Sequence, residues 1–274
     1  MPVATGGGAR GAAALTVTSL TCVQLSDAWS VPLLGTAGAA GTAWLRATSG
    51  ALVLLALVRP RVRRLTAQQW RAVVPLGLAG AVLSACFLAA LERLPLGTVV
   101  AVEFLGPLAL AVRTRGRGRL LWPAMALAGV LALTRPWRGD ADPAGLALAA
   151  AGALAWAACI VLTARVGRCV QGLHGVALAL PVTAACLTPR GAATAVAHLD
   201  AATACRALGL AVLMPVLPSV LELIALRRLP AATFATLTAL EPALAAAVGA
   251  IVLHQRLGLP GALGIALVVA GGAG

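Results

Sequence analysis

Ten apolar runs follow one another along the chain, at roughly 11–28, 36–58, 71–91, 96–112, 120–134, 144–164, 173–188, 204–226, 231–253 and 258–274, divided by Arg, Pro, Gly and acidic residues. A helix needs about 20 apolar residues to cross a bilayer core of about 30 Å, and these runs reach or approach that length. Hydrophobic residues make up 61% of the sequence and charged residues 11%, with a mean hydropathy of +0.97. A soluble domain carries roughly 25% charge and a polar coat, so the surface of this chain has to meet lipid. The expected fold class is an all-α polytopic membrane protein of about ten transmembrane helices, with membrane lipid as its surrounding partner.

All 21 basic residues are arginine, and against 8 acidic residues they give a formal net charge of +13. Such a balance suits nucleic acid only if it forms a basic face with aromatic residues to stack bases. Here the arginines sit in short clusters between apolar runs, with three Phe and no Tyr, so no nucleic-acid partner is expected. Their distribution instead sets orientation, because cytoplasmic loops accumulate Arg and Lys. With the N-terminus inside, the inner side receives Arg10; Arg59, Arg61, Arg63, Arg64 and Arg71; Arg113, Arg115, Arg117 and Arg119; Arg165 and Arg168; and Arg227 and Arg228, which is 14 in all. The outer side receives six, Arg93, Arg135, Arg138, Arg190, Arg206 and Arg256, beside Asp27, Glu92, Asp140, Asp142 and Asp200. Both termini are therefore expected in the cytoplasm.

The six cysteines lie singly, without a CxxC pair and mostly in apolar runs, so they read as small hydrophobes. The three histidines are dispersed, which gives no support to a zinc or haem site; no metal and no cofactor are expected. Gly35, Gly38 and Gly41, and Gly77 and Gly80, read as small-residue ridges for close helix packing. Trp29, Trp44, Trp70, Trp122 and Trp137 fall near predicted span ends and read as interface anchors.

An internal repeat carries the reading further. Ala90 to Pro107, ALERLPLGTVVAVEFLGP, lies over Ala225 to Pro242, ALRRLPAATFATLTALEP, at an offset of 135 residues, with eight of 18 positions identical. The matched arginines, threonines and prolines (Arg93 and Arg228, Thr98 and Thr233, Pro95 and Pro230, Pro107 and Pro242) weigh more than the matched Ala and Leu, which are common here. Such an offset spans about five helices, and an odd number turns the second half over relative to the first. Residues 1–139 and 140–274 are thus expected to form two inverted five-helix repeats, the architecture of many secondary transporters.

Arg46, Glu103, Glu222 and Glu241 fall inside predicted spans. A charge there costs on the order of 2.5–3.5 kcal/mol and normally faces a cavity or a partner. Glu222 follows Pro215 and Pro218, each of which lacks a backbone donor; carbonyls released there, with Ser219 and the carboxylate, would make a polar niche suited to an ammonium group or a proton. Glu103 precedes Pro107, and Glu241 directly precedes Pro242. The two glutamates lie one helical turn out of register in the repeat, Glu103 aligning with Thr238 and Glu241 with Gly106. Either could also neutralise Arg46, whose alternative role is helix anchoring. A carboxylate at membrane depth that takes up and releases a proton supports proton-coupled exchange. The expected substrate- or proton-binding residues are Glu222, Glu103, Glu241, Arg46 and Ser219, and the expected helix breaks Pro215, Pro218, Pro107 and Pro242.

Three stretches, LRATSGALVLLALVRPR at 45–61, ERLPLGTVVAVEFLGPLAL at 92–110 and PSVLELIALRRLPAATFATLTALEPALAAAVG at 218–249, carry a resemblance. The chain resembles the drug/metabolite transporter superfamily in its EamA branch, and within it the inner-membrane exporters of threonine and homoserine. The resemblance implies two inverted EamA repeats and proton-driven export of small amino acids or related metabolites, with room for a homodimer. Two features depart from those relatives: lysine is absent, and no polar tail follows the last run, so either the chain is clipped there or the last helix is short and sheltered by its neighbours. The alternative within the same fold is efflux of another metabolite or a cationic drug. An enzyme is not expected, since no nucleophile and base, histidine cluster or aspartate pair is placed for one; an ATP-driven pump lacks its GxxxxGK[ST] run.

Overall fold

The computed structural model describes residues 6–60, 65–115, 121–134, 142–170, 173–226, 228–229, 231–256 and 258–273. Arg61, Arg63, Arg64, Arg117, Arg119, Arg135, Trp137, Arg138, Asp140 and Arg227 lie outside the described residues. Within them the chain is helical: α1 (Gly6–Val58), α2 (Ala67–Leu91), α3 (Leu96–Glu103), α4 (Leu105–Arg115), α5 (Leu121–Thr134), α6 (Pro143–Cys169), α7 (His174–Val196), α8 (Ala201–Ala211), α9 (Leu217–Leu226), α10 (Ala231–Thr238), α11 (Glu241–Val252) and α12 (Leu259–Ala273). Five stretches are long and apolar enough to cross a membrane, and four shorter apolar helices accompany them. A bilayer core offers backbone N–H and C=O groups no water, so an open chain can cross it only as helices that close their own hydrogen bonds. The protein is an all-α polytopic membrane protein.

The first two predicted spans are joined differently from expectation. No loop separates 11–28 from 36–58; the helix continues through Pro32 and is interrupted at Gly38, at φ 67° and ψ 175°. Glycine enters this left-handed region without a Cβ clash, which lets one helix stop and the next start within a single residue. The new start leaves the Ala39 N–H without an intrahelical acceptor. It donates to Oε1 of Glu92 at 2.7 Å. This moves Asp27, expected in an outer loop, into the helix, where only 4% of it is exposed. Trp29, expected at a span end, likewise lies well inside α1.

The described chain packs as two compact units, each drawing on both halves of the sequence. One comprises Met1–Ala28, Pro95–Ala141 and Leu213–Gly274, the other Trp29–Leu94 and Asp142–Val212. In the first, α5 packs on α12 and α3 on α11. In the second, α2 packs on α6 and α7, around buried Val73, Leu76, Val166, Leu178 and Ala179. Gly77 admits α7 closely, since a Cβ there would lie 2.5 Å from Cβ of Val182, and the Thr183 hydroxyl donates to the Gly77 carbonyl at 2.8 Å. Gly80 meets Thr183 and Gly41 meets Thr194, whereas Gly35 and Gly38 have open space beside them. The expected ridge at 35, 38 and 41 thus reduces to Gly41.

Helix α6 starts where its sequence calls for a start. Asp142 is its N-cap, accepting from the Ala144 N–H at 2.9 Å, and Pro143 occupies the first turn, where a missing N–H costs nothing. Asp142 also accepts from the Arg93 guanidinium at 2.7 Å, on the surface of the same unit. That bond first, and the cap second, hold the Asp142 carboxyl below its ordinary value of 3.8. A depressed folded pKa contributes stability that is complete above the ordinary value and lost as pH falls through the folded one. The difference in melting temperature between wild type and Asp142→Asn is therefore constant from about pH 7 to about pH 5 and closes below about pH 4, which a thermal melt in detergent across that range checks.

Candidate substrate site at paired helix breaks

Helices α3 and α10 are the same eight residues of the repeat. Leu96 and Ala231, and Glu103 and Thr238, are each 135 positions apart, so both half-helices begin and end in register. The cause is the matched prolines. Pro107 lacks the N–H that would bond the Glu103 carbonyl, and Pro242 lacks the one that would bond Thr238. Each break denies the carbonyl at the end of its half-helix the helical donor four residues on.

The two breaks also come together. Helices α3 and α11 cross closely, since a Cβ on Gly97 would lie 3.1 Å from Cα of Ala246 and Gly249 faces Leu96. Oε1 of Gln255, just beyond α11, accepts from the Leu96 N–H at 3.1 Å and caps the start of α3. The far end of α3 then reaches the start of α11: a Cβ on Gly272 of α12 would contact both Phe104 and Ala239, the repeat-equivalent residues at the two breaks.

Around this junction lie four acidic residues, Asp27, Glu103, Glu222 and Glu241. Glu103, the last residue of α3, is 5% exposed; Glu241, the first of α11, is 8% exposed. Asp27 and Glu241 are close enough to Glu103 for their charges to interact, and Asp27 and Glu222 are likewise close to Glu241. Two side chains of α1 reach these carboxylates. The Ser19 hydroxyl donates to Oε1 of Glu222 at 3.0 Å, and Nε2 of Gln24 reaches Oε1 of Glu241 at 3.4 Å. A π-helical turn, Val212–Val216, containing Pro215 and an extended Met214, precedes α9 and Glu222; Pro218 falls in the first turn of α9. Ser219 is half-buried on α9.

Arg46 belongs to the other packing unit, where its guanidinium donates to Oγ of Ser30 at 3.3 Å. The structure thus brings together three of the four ionisable residues expected from sequence, with Asp27 as a fourth carboxyl.

Comparison with known proteins gives this geometry its context. Residues 143–273 match the EamA-like transporter family. The threonine/homoserine exporter RhtA of Salmonella typhimurium strain LT2 is 34% identical over 244 residues, 87% of this chain and 82% of that protein. RhtA of Escherichia coli K12 is 33% identical over the same shares. The chain belongs to the EamA family. A solved crystal structure, 22% identical, shares the fold with a TM-score of 0.59 and covers 95% of both chains.

In this EamA-family transporter, sequence reasoning missed Ser19, Gln24 and Asp27. All three are buried, at 0%, 1% and 4% exposure, on a helix whose first part reads as a plain apolar run. The signal was present: Thr16, Ser19, Gln24 and Asp27 fall within an arc of about 140° around a helix, on one face. Placing the end of the first span near residue 28 assigned Asp27 to water and hid the stripe.

Proposed function

We propose that this chain is a secondary transporter of the cytoplasmic membrane that exports small amino acids such as threonine or homoserine in exchange for protons. Both termini lie in the cytoplasm, and residues 1–139 and 140–274 form inverted five-helix repeats. The observation that carries the reading is the gathering of Glu103, Glu222 and Glu241 in one packing unit beside the paired breaks of α3 and α10. Buried carboxylates accept either a proton or the ammonium group of an amino acid, and the two compete for the same oxygen atoms. A carrier that must hold one or the other while its site changes sides exchanges them. Ser19 and Gln24 orient two of the carboxylates, so that occupancy by proton or substrate is registered on α1. The relatives named as threonine/homoserine exporters support the cargo, and the arginine distribution supports the orientation.

The test is counterflow in proteoliposomes loaded with unlabelled threonine or homoserine. Labelled threonine accumulates transiently, and an imposed pH gradient, acid on the side opposite the amino acid, drives its net movement. Folded protein that gives no accumulation between pH 6 and 8, about the range in which a tuned carboxyl exchanges protons, overturns the amino-acid cargo. Exchange of a cationic drug under the same conditions would then establish the alternative cargo.

A further inference from the structure

The buried atoms around the helix breaks differ in kind from a balanced polar cluster: acceptors outnumber donors. Oε1 of Glu103 and Oε1 of Gln24 are both buried and have no hydrogen-bond partner among the described residues. The Gln24 atom is left over for a chemical reason. An ionised carboxylate only accepts, so the Gln24 amide presents its N–H to Glu241 and turns its oxygen away. Pro107 also denies the Glu103 carbonyl its helical donor, the amide four residues on. Gln24 is 1% exposed and Glu103 5%, so neither oxygen is satisfied by bulk water. A buried acceptor without a donor is costly, so each such atom calls for a physical explanation.

We propose that Gln24 and Glu103, with the Glu103 carbonyl, form a seat for a primary ammonium group, and that Gln24 makes this site read N–H donors rather than positive charge alone. A primary ammonium carries three N–H donors and no acceptor, which complements three acceptors. Neighbouring Asp27 and Glu241 supply the negative field for any cation. Only an ion with N–H groups also fills the hydrogen-bonding positions. A fully methylated ammonium brings the same charge and leaves both oxygen atoms buried and unsatisfied, the arrangement by which sites reject analogues that lack a donor. This deepens the proposed function by assigning the substrate's amino group, and it rests on that function only in taking the junction of the helix breaks to be a substrate site.

The experiment uses purified full-length protein in detergent and reads the dissociation constants of methylammonium and tetramethylammonium by isothermal calorimetry. Methylammonium binds at least about tenfold more tightly, the difference expected from one charge-assisted hydrogen bond. Gln24→Met, which keeps the side-chain volume and removes the acceptor, brings the two constants within about threefold of each other, while Gln24→Glu, which keeps an acceptor there, retains the preference. Equal binding of the two ions by the wild type overturns the proposal, whether or not the variants fold, and so does an unchanged preference in Gln24→Met. Methylammonium selectivity in a protein that fails threonine counterflow separates the two ideas: the seat stands and the amino-acid cargo falls.

Discussion

Glu241→Gln lowers threonine counterflow at least about 100-fold while the protein remains folded and monodisperse in detergent. Glutamine keeps the size of the side chain and can still accept from Gln24, so the packing of α11 against α3 survives. What is lost is the charge. Each hydrogen bond to a charged group contributes about 1.5–3 kcal/mol, and the two oxygen atoms of an ionised carboxylate can make two of them with a bound ammonium group and its neighbours. Two of them correspond to two or more factors of ten. Proteoliposome counterflow measures the loss. Glu92→Gln serves as the control, because the amide oxygen still accepts from the Ala39 N–H; its transport stays within about twofold of wild type. Counterflow retained by Glu241→Gln would remove this carboxylate from the transport cycle and leave Glu222 and Glu103 to carry it.

Gly264→Leu lowers the apparent melting temperature by about 5–10 °C. Helices α5 and α12 pack through facing glycines: a Cβ on Gly264 would lie 2.7 Å from the carbonyl oxygen of Gly129, and one on Gly129 would lie 2.5 Å from the carbonyl oxygen of Gly264. Both obstacles are backbone, so no rotamer change relieves them and the helices must separate. In lipid, helix association relies on close packing rather than on apolar burial, so separation removes much of what holds the pair together. Overpacking alone costs about 1–3 kcal/mol, before the lost contacts are added. Gly167→Leu, on α6 with open space around its Cβ position, changes the melting temperature by less than about 2 °C. A Gly264→Leu protein that melts with the wild type would mean that α5 and α12 do not pack this way.

How far the site could be read from sequence depended on the kind of signal each residue left. Glu103, Glu222 and Glu241 were visible because a carboxylate in an apolar run is rare. Pro107 and Pro242 were visible because they recur at one offset, and the ends of α3 and α10 follow that offset residue for residue. Ser19 and Gln24 were not selected, since an isolated hydroxyl or amide in an apolar run is tolerated wherever a helix can satisfy or bury it. Gly38 was read as a packing residue, although it is the point at which one helix ends and the next begins; glycine serves both purposes, and composition does not separate them.

By itself the sequence determined the class of solvent and the secondary structure. A chain with so much apolar residue and so little charge must face lipid, and a chain in lipid must be helical, because every backbone polar group has to find its partner within the protein. It also determined the paired helix breaks, since a proline removes its donor whatever surrounds it. Which side chains meet at those breaks was decided only by tertiary structure. Contacts such as Ser19 with Glu222 and Gln24 with Glu241 join residues 203 and 217 positions apart. They depend on how α1, α3, α9 and α11 pack, and periodicity along one helix carries no information about the rotation of its neighbours. The same packing left Glu103 and Gln24 with unmatched acceptors, and no pattern along the chain announces that surplus.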